Sequence, residues 1–349
     1  MKVLMVGPDR SVHGGISGVV NNYYEAGLDQ KIDLTYIGTM VDGSKLRKLF
    51  KAMEAYIWFC IKLPKNQIVH VNMASDSSYY RKSVFIRTAK RFHKKIVIHQ
   101  HGGDFQTFYR EQLSYKGRER LRETLAMADA FLVLAPVWKE FFSQIIDEEK
   151  IIVFPNAVEI PKLKDKHYGQ HKILFLGRIC REKGIQELLD VFLELTQEYS
   201  DLHLYLGGVW EDAGLKKIAE EHDKQITYLG WVTGEEKRKC LKMCDVFVLP
   251  SYFEGQPVSV LEAMAAGCGV IASGVGGIPS MIADGKTGIL TEPRNEESLR
   301  QGLLQVLRDA EFCRKLGQNA RQKVEREFSI EKNIENLIDI YSLQIKSQG

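Results

Sequence analysis

What the sequence lacks narrows its class. No apolar run approaches the length needed to span a bilayer, and no low-complexity tract interrupts the 349 residues. The six cysteines, at 60, 180, 240, 244, 268 and 313, include no C-x-x-C pair, so that kind of ligand spacing is absent. Most sit in apolar or helical contexts, where free buried thiols are the expected state, and a reducing cytoplasm is the setting this implies. Charge of one sign is not in large excess: 48 Lys and Arg stand against 45 Asp and Glu, a net +3, which says little about partners. The opening M-K-V-L-M-V-G is too short and glycine-bounded for a signal peptide, and it reads as a first strand.

The length suffices for two ordinary cores, so two domains are expected. Short apolar runs at 2–6, 32–37, 68–72, 95–100, 130–134 and 151–154 alternate with helical stretches around 44–63, 79–93, 114–127 and 136–145. That alternation predicts an α/β domain with a doubly wound parallel sheet. A polar stretch, 162–171, reads as a linker, and a second α/β unit opens at Ile173. Residues 295–309, 310–326 and 330–345 read as closing helices.

One stretch organises the second half: residues 253–267, F-E-G-Q-P-V-S-V-L-E-A-M-A-A-G, after the apolar run V-F-V-L-P. The run predicts a buried strand. Pro257 suits the first position of a helix, where its missing N–H costs nothing. Val258, Leu261 and Ala265 recur at helical spacing, and Gly267 is placed to end the helix in a left-handed conformation. Glu254 then lies on a strand-to-helix loop, where open α/β sheets place ligands. Glu262 lies in the second helical turn. A loop-tip charge and a solvated helix position are the bland alternatives. Against them, Glu262 sits among Val260, Leu261, Ala263 and Met264, and a carboxylate in apolar surroundings needs partners. Sugar or ribose hydroxyls are suitable ones.

Two further loops carry phosphate chemistry. After the first strand, G-P-D-R-S-V-H-G-G-I leads into a helix, so Gly14 and Gly15 let backbone N–H groups approach an anion. A plain tight turn is the alternative, and the spacing is not G-x-G-x-x-G. At Gly177-Arg178 to Lys183-Gly184, two cations flank a strand-to-helix turn, which suits a diphosphate. In the run I-V-I-H-Q-H-G-G-D, His101 and Asp104 follow a strand end, and His99 is expected to point the other way along the strand.

The pattern F-E-G-x-P…L-E-A-M-A-A-G resembles the signature of family 4 glycosyltransferases, retaining enzymes of the two-domain GT-B architecture. Residues 177–184 resemble that family's G-R-x-x-x-E-K-G phosphate motif, and the resemblance spans residue 7 to about 290. It implies two Rossmann-like domains facing a central cleft: an acceptor domain, 1–165, with a last helix at about 329–349 packing back on it, and a nucleotide-sugar domain, 166–328. It makes Glu254, His101, Arg178 and Lys183 the catalytic set. Glu254 lies near the donor sugar and phosphate, His101 faces the donor sugar, and Arg178 and Lys183 neutralise the leaving diphosphate. Donor-binding residues are then Gly14, Gly15, Arg178, Lys183, Val232 at the base, Glu254, Gly255, Gln256, Pro257, Val258, and Glu262 on the ribose. Asp104 is the acceptor-side candidate.

The implied activity is transfer of a hexosyl group from a UDP- or GDP-type nucleotide-sugar to a sugar or lipid-linked acceptor, in bacterial-type polysaccharide or glycolipid assembly. No D-x-D tripeptide occurs, so no metal-bridged diphosphate and no cofactor is expected. The sequence departs from the family at Ala157, at Gly269, where Pro is common, and at Ser280, where Glu is usual. Two rivals remain: another enzyme on this scaffold, such as a phosphorylase or nucleotide-sugar hydrolase, and a catalytically silent GT-B subunit that stabilises a partner transferase.

The region 45–95 is strongly basic, with thirteen Lys or Arg against Glu54 and Asp76. Leu46, Leu49, Phe50, Met53, Ile57 and Trp58 form a helical stripe within it. Two readings stand side by side: a face that docks on an anionic membrane, on the inner leaflet, or two core helices with solvated basic sides. No nucleic-acid module accompanies the charge.

Overall fold

The computed structural model describes residues 1–162 and 166–346. The chain divides into two compact units, one formed by Met1–Ala157 with the chain from Ile330 onward, the other by Val158–Ser329. The boundary expected at 165 lies outside the described residues. The chain passes between units at 157/158 and again at 329/330.

Among the described residues the first unit holds six strands: β1 (Lys2–Gly7), β2 (Asp33–Gly38), β3 (Ile68–Met73), β4 (Lys95–Gln100), β5 (Ala130–Val133) and β6 (Ile151–Val153). All pair in parallel, in the order β2-β1-β3-β4-β5-β6. Strands β3 and β5 are buried at every position, as parallel sheets covered on both faces require. The last helix, Ile330–Lys346, belongs to this unit. It is tied there by Asn333 Nδ2 to the Pro155 carbonyl (2.7 Å) and by Tyr341 to His70 Nδ1 (2.6 Å).

The second unit repeats the plan with β7 (Lys172–Leu176), β8 (His203–Gly207), β9 (Ile226–Gly230), β10 (Val246–Leu249), β11 (Gly269–Ser273) and β12 (Ile289–Thr291). Their order is β12-β11-β10-β7-β8-β9, all parallel. The strand order reverses between β7 and β10, the switch point where such sheets bind ligands. Those two strands pair only at Ile173–Val246 and Leu174–Phe247. They part before their carboxyl ends, and the loops that follow rise on either side of the gap.

The helix after β10 runs Val258–Ala265. Pro257 stands just before it, at the N-cap (φ −70°, ψ 121°), one residue earlier than the sequence suggests. Gly267 takes φ +72°. Its N–H bonds the Met264 carbonyl (2.9 Å), and the Cys268 N–H bonds that of Ala263 (3.0 Å), the paired bonds of a glycine-closed helix end. Tyr168 donates to the Gly267 carbonyl (2.8 Å) and Arg321 Nη1 to that of Ala265 (2.6 Å), placing a cation at the negative end of the helix.

Gly317, in the helix Ala310–Glu327, lets this contact form. A Cβ there would stand 2.1 Å from the Gly267 carbonyl oxygen. Gly317→Ala is expected to lower stability by about 1–3 kcal/mol through overpacking against backbone, read from urea unfolding. An unchanged midpoint would show that the two helices slide apart freely.

Candidate active site

The loops after β7 and β10 build the second unit's site. After β7 the chain makes a short 3₁₀ turn, Arg181–Lys183, then Gly184 (φ +70°) starts the helix Ile185–Leu195. A Cβ on Gly184 would lie 2.1 Å from the Pro250 carbonyl oxygen, so only glycine lets this turn press on the end of β10. The Tyr252 N–H donates to the Glu182 carbonyl (2.9 Å) and locks the two loops together.

Lys183 Nζ reaches Glu254 Oε1 at 2.6 Å, with the side chains 19% and 9% exposed. An ion pair this sheltered is costly to break on one side. Glu262 has its own cation, Lys237, at 2.5 Å. Arg178 is half-exposed and forks onto Glu211 (3.1 and 3.3 Å), so it does not share the Glu254 carboxylate. Gly255 and Gln256 are buried, and the Gly255 carbonyl accepts from Gly277 N–H (2.8 Å). Val232 packs in the hydrophobic core, and a Cβ on Gly207 would lie 3.2 Å from its Cγ2. Trp231 is only partly buried.

Side-chain caps are present at some helix starts of the second unit and absent at others, Thr233 and Gly277 among them. Asp212, Asn295 and Asp309 each accept N–H bonds from the helices they precede. Gly184 and Pro257, which precede the helices at the switch point, make no side-chain cap bond. Helix starts of this kind leave N–H donors for an anion.

In the first unit, Gly14 is the extended N-cap of the helix Gly15–Glu25, and a Cβ on Gly14, Gly15 or Gly18 would meet nothing within 4 Å. His101 follows β4, and its Nε2 meets Asn72 Oδ1 at 2.9 Å. Asn72 Nδ2 donates to the Val6 carbonyl (3.4 Å), which turns Oδ1 toward the ring. An accepting Oδ1 means that Nε2 carries the proton and Nδ1 its lone pair. Asp104 accepts from Ser75 Oγ at 2.6 Å.

His99 corrects the sequence reading. Positions 99 and 101 differ by one strand period of two, so both rings lie on one side, 4.0 Å apart. His70 stands 5.5 Å beyond His99. Burial pushes the pKa of His70 and of His101 down to about 3, with the neighbouring His70 adding to the effect on His101. Burial, then the flanking imidazoles, lowers His99 as well.

Lys237, Glu211, Asn72 and Ser75 are partners that sequence reasoning did not find. Lys237 is one cation among several in G-E-E-K-R-K and meets Glu262 only through the fold. Glu211, three residues past the Gly207-Gly208 turn at a strand end, carried a positional signal that went unused.

The fold is that of GT-B glycosyltransferases. A sucrose-phosphate synthase from Thermosynechococcus elongatus superposes with a TM-score of 0.81 at 19% identity, over 99% of this chain and 100% of that one. Alr3699/HepE of Anabaena, in complex with UDP and glucose, gives 0.75 at 16% identity, over 98% and 99%. Residues 158–323 match the family Glycosyl transferases group 1, a match that covers nearly the whole second unit. An uncharacterized glycosyltransferase of Methanocaldococcus jannaschii is 25% identical over 276 residues, 74% of this chain and 70% of that one. Further archaeal relatives are matched over 46% to 63% of their length.

Two outcomes test this geometry. Lys183→Ala leaves the Glu254 carboxylate without its cation, at an expected cost of about 3 kcal/mol. Adding Glu254→Ala should restore part of that loss, and strictly additive losses in urea unfolding would show that the pair does not couple. The imidazoles titrate in the opposite sense to a salt-bridged histidine. Their folded pKa values lie below the unfolded value of about 6.5, so the unfolded chain binds more protons and stability falls as pH drops from about 6.5 toward 3. Urea midpoints at stepped pH should fall through this window, and less steeply in His99→Phe. A flat profile contradicts the neutral cluster.

Proposed function

We propose that the protein is a retaining glycosyltransferase that uses a nucleotide-sugar of UDP or GDP type and transfers its hexosyl group to an acceptor hydroxyl. The observation that carries this reading is the Lys183–Glu254 pair, set at the switch point of the unit that matches Glycosyl transferases group 1, beside two helix starts without side-chain caps. A lysine ammonium has three donors. One goes to Glu254, and the other two suit oxygens of a donor diphosphate. Support for such a donor comes from Alr3699/HepE, a protein of the same fold solved with UDP and glucose.

In this reading the donor lies on the second unit. Arg178 and Lys183 offset charge as it builds on the departing diphosphate, so they act most strongly in the transition state. Glu254 holds the donor sugar, and Glu262 accepts from the ribose hydroxyls. The bond from the anomeric carbon to the phosphate oxygen breaks. The acceptor oxygen bonds the same face of that carbon, and its proton passes to the departing phosphate. His101 stays neutral and offers Nδ1 toward a sugar hydroxyl. Gly14 and Gly15 leave room for the diphosphate, and Asp104 belongs to the acceptor side. No metal or cofactor takes part. The acceptor is a sugar or lipid-linked hydroxyl in cell-surface polysaccharide or glycolipid assembly, and the protein works in the cytoplasm.

Calorimetry across UDP, GDP, ADP and CMP and their common sugars tests the donor assignment. One nucleotide class should bind, and Arg178→Ala should abolish the signal. Glu254→Gln should keep the fold and lower kcat by about a hundredfold or more. Near-normal turnover in that variant, or no nucleotide binding at all, overturns the reading.

A further inference from the structure

The helix Lys45–Lys62 is turned inside out. Surface helices direct their apolar stripe at the core. Here the core side is supplied by Ala55 and Phe59, with Tyr56 bonded to Thr88 (2.9 Å) and Phe59 edge-on to Phe85. Leu46, Leu49, Phe50, Met53, Ile57, Trp58 and Ile61 each expose half or more of their surface. At 100° per residue, all but Trp58 fall within an arc of about 120°, opposite Ala55 and Phe59. Cys60, an exposed free thiol, lies within that arc, toward its Leu49 edge.

Charge borders the stripe. Arg47 flanks one edge, with Lys51 and Lys62 further round the helix and Lys45 and Lys48 at its N-terminal end; Glu54, the helix's single acid, lies on the same edge and pairs with Lys51 (3.2 Å), which Asp9 also meets (3.9 Å). Three other cations of the basic region are engaged elsewhere. Lys82 is fully buried with its Nζ on Thr39 Oγ1, Lys94 donates to the Pro64 carbonyl, and Lys95 pairs with Asp129. Beside the helix's basic edge is a cavity of about 330 Å³ lined by Arg10, Tyr36, Lys51, Trp58 and Lys62, together with Asp9 and Glu54.

We propose that this helix lies flat on an anionic phospholipid bilayer, with its apolar arc in the head-group and acyl boundary and its basic edge on lipid phosphates. Among the described residues no helix is long and apolar enough to cross a membrane, so the contact is interfacial. Charge selects this occupant over a second copy of the chain. Pairing two such faces would bring the same cations together, of which only Lys51 has acids beside it, Glu54 and Asp9, whereas a bilayer of acidic lipids is complementary to them. The inference stands apart from the transferase reading, because it uses no residue assigned to donor or acceptor.

The test uses the full chain and sedimenting vesicles of phosphatidylcholine, alone or in equal parts with phosphatidylglycerol. An environment-sensitive maleimide on Cys60 reports insertion. Pelleting and a blue shift are expected only with the acidic vesicles, and added salt should weaken both. Leu49→Ser with Phe50→Ser should abolish binding. Arg47→Glu and Lys62→Glu should each weaken it about fivefold or more. All variants should keep the circular dichroism and nucleotide binding of the parent, which separates this outcome from failure of the donor assignment. No pelleting, pelleting unchanged by Leu49→Ser with Phe50→Ser, or equal binding to neutral vesicles overturns the proposal. So does a dimer that those substitutions dissolve while vesicles leave the protein in solution.

Discussion

The contact between Lys183 and Glu254 depends on a close approach that only glycine permits. Pairing between β7 and β10 stops short of their ends, so the sheet itself does not hold the two loops together. That task falls to Gly184, whose α-carbon presses on the Pro250 carbonyl, and to the Tyr252–Glu182 backbone bond. The ion pair then closes across them at 2.6 Å. Two sheltered charges are expensive to desolvate and are seldom kept for stability alone. What they supply is position: the Lys183 ammonium is fixed on Glu254 across the loops that follow β7 and β10.

The first unit solves a different problem at its own strand ends. His70, His99 and His101 stack in and beside β3 and β4, where charged imidazoles would be costly. Burial keeps them neutral. Asn72, anchored on the Val6 carbonyl, fixes the proton of His101 on Nε2. The other end of the row is fastened by Tyr341 from the last helix, so the chain's C-terminal return bears on the same sheet that carries His101.

The fold was legible because its signals are local. Buried parallel strands read as continuous apolar runs, the helices between them have clear periodicity, and the predicted strand at 95–100 coincides with Lys95–Gln100. The helix closed by Gly267 was legible for the same reason, since one left-handed residue ends it. Partners were not legible. Glu262 meets Lys237 from 25 residues away, and nothing in a run of like-charged helix residues distinguishes the lysine that turns inward. His99 was misplaced by misapplying a period that was known. The outward face of Lys45–Lys62 was undecidable from sequence, because an apolar stripe has the same spacing whether it meets a core or leaves it. Only the packing of Ala55 and Phe59 shows which side is which.

Capping residues connect these observations. Aspartate and asparagine before a helix satisfy its first N–H groups with a built-in acceptor, and the second unit uses them at Asp212, Asn295 and Asp309. Glycine and proline supply no such acceptor, and they stand at Gly184 and Pro257. A chain selected for stability alone would gain about 1 kcal/mol from a capping side chain at such a position. Gly184 cannot be replaced without striking Pro250. The same backbone crowding that brings Lys183 to Glu254 therefore also leaves the neighbouring helix without a side-chain cap. At Gly184 the ion pair and the missing side-chain cap arise from one constraint, the need to press the turn after β7 against the end of β10.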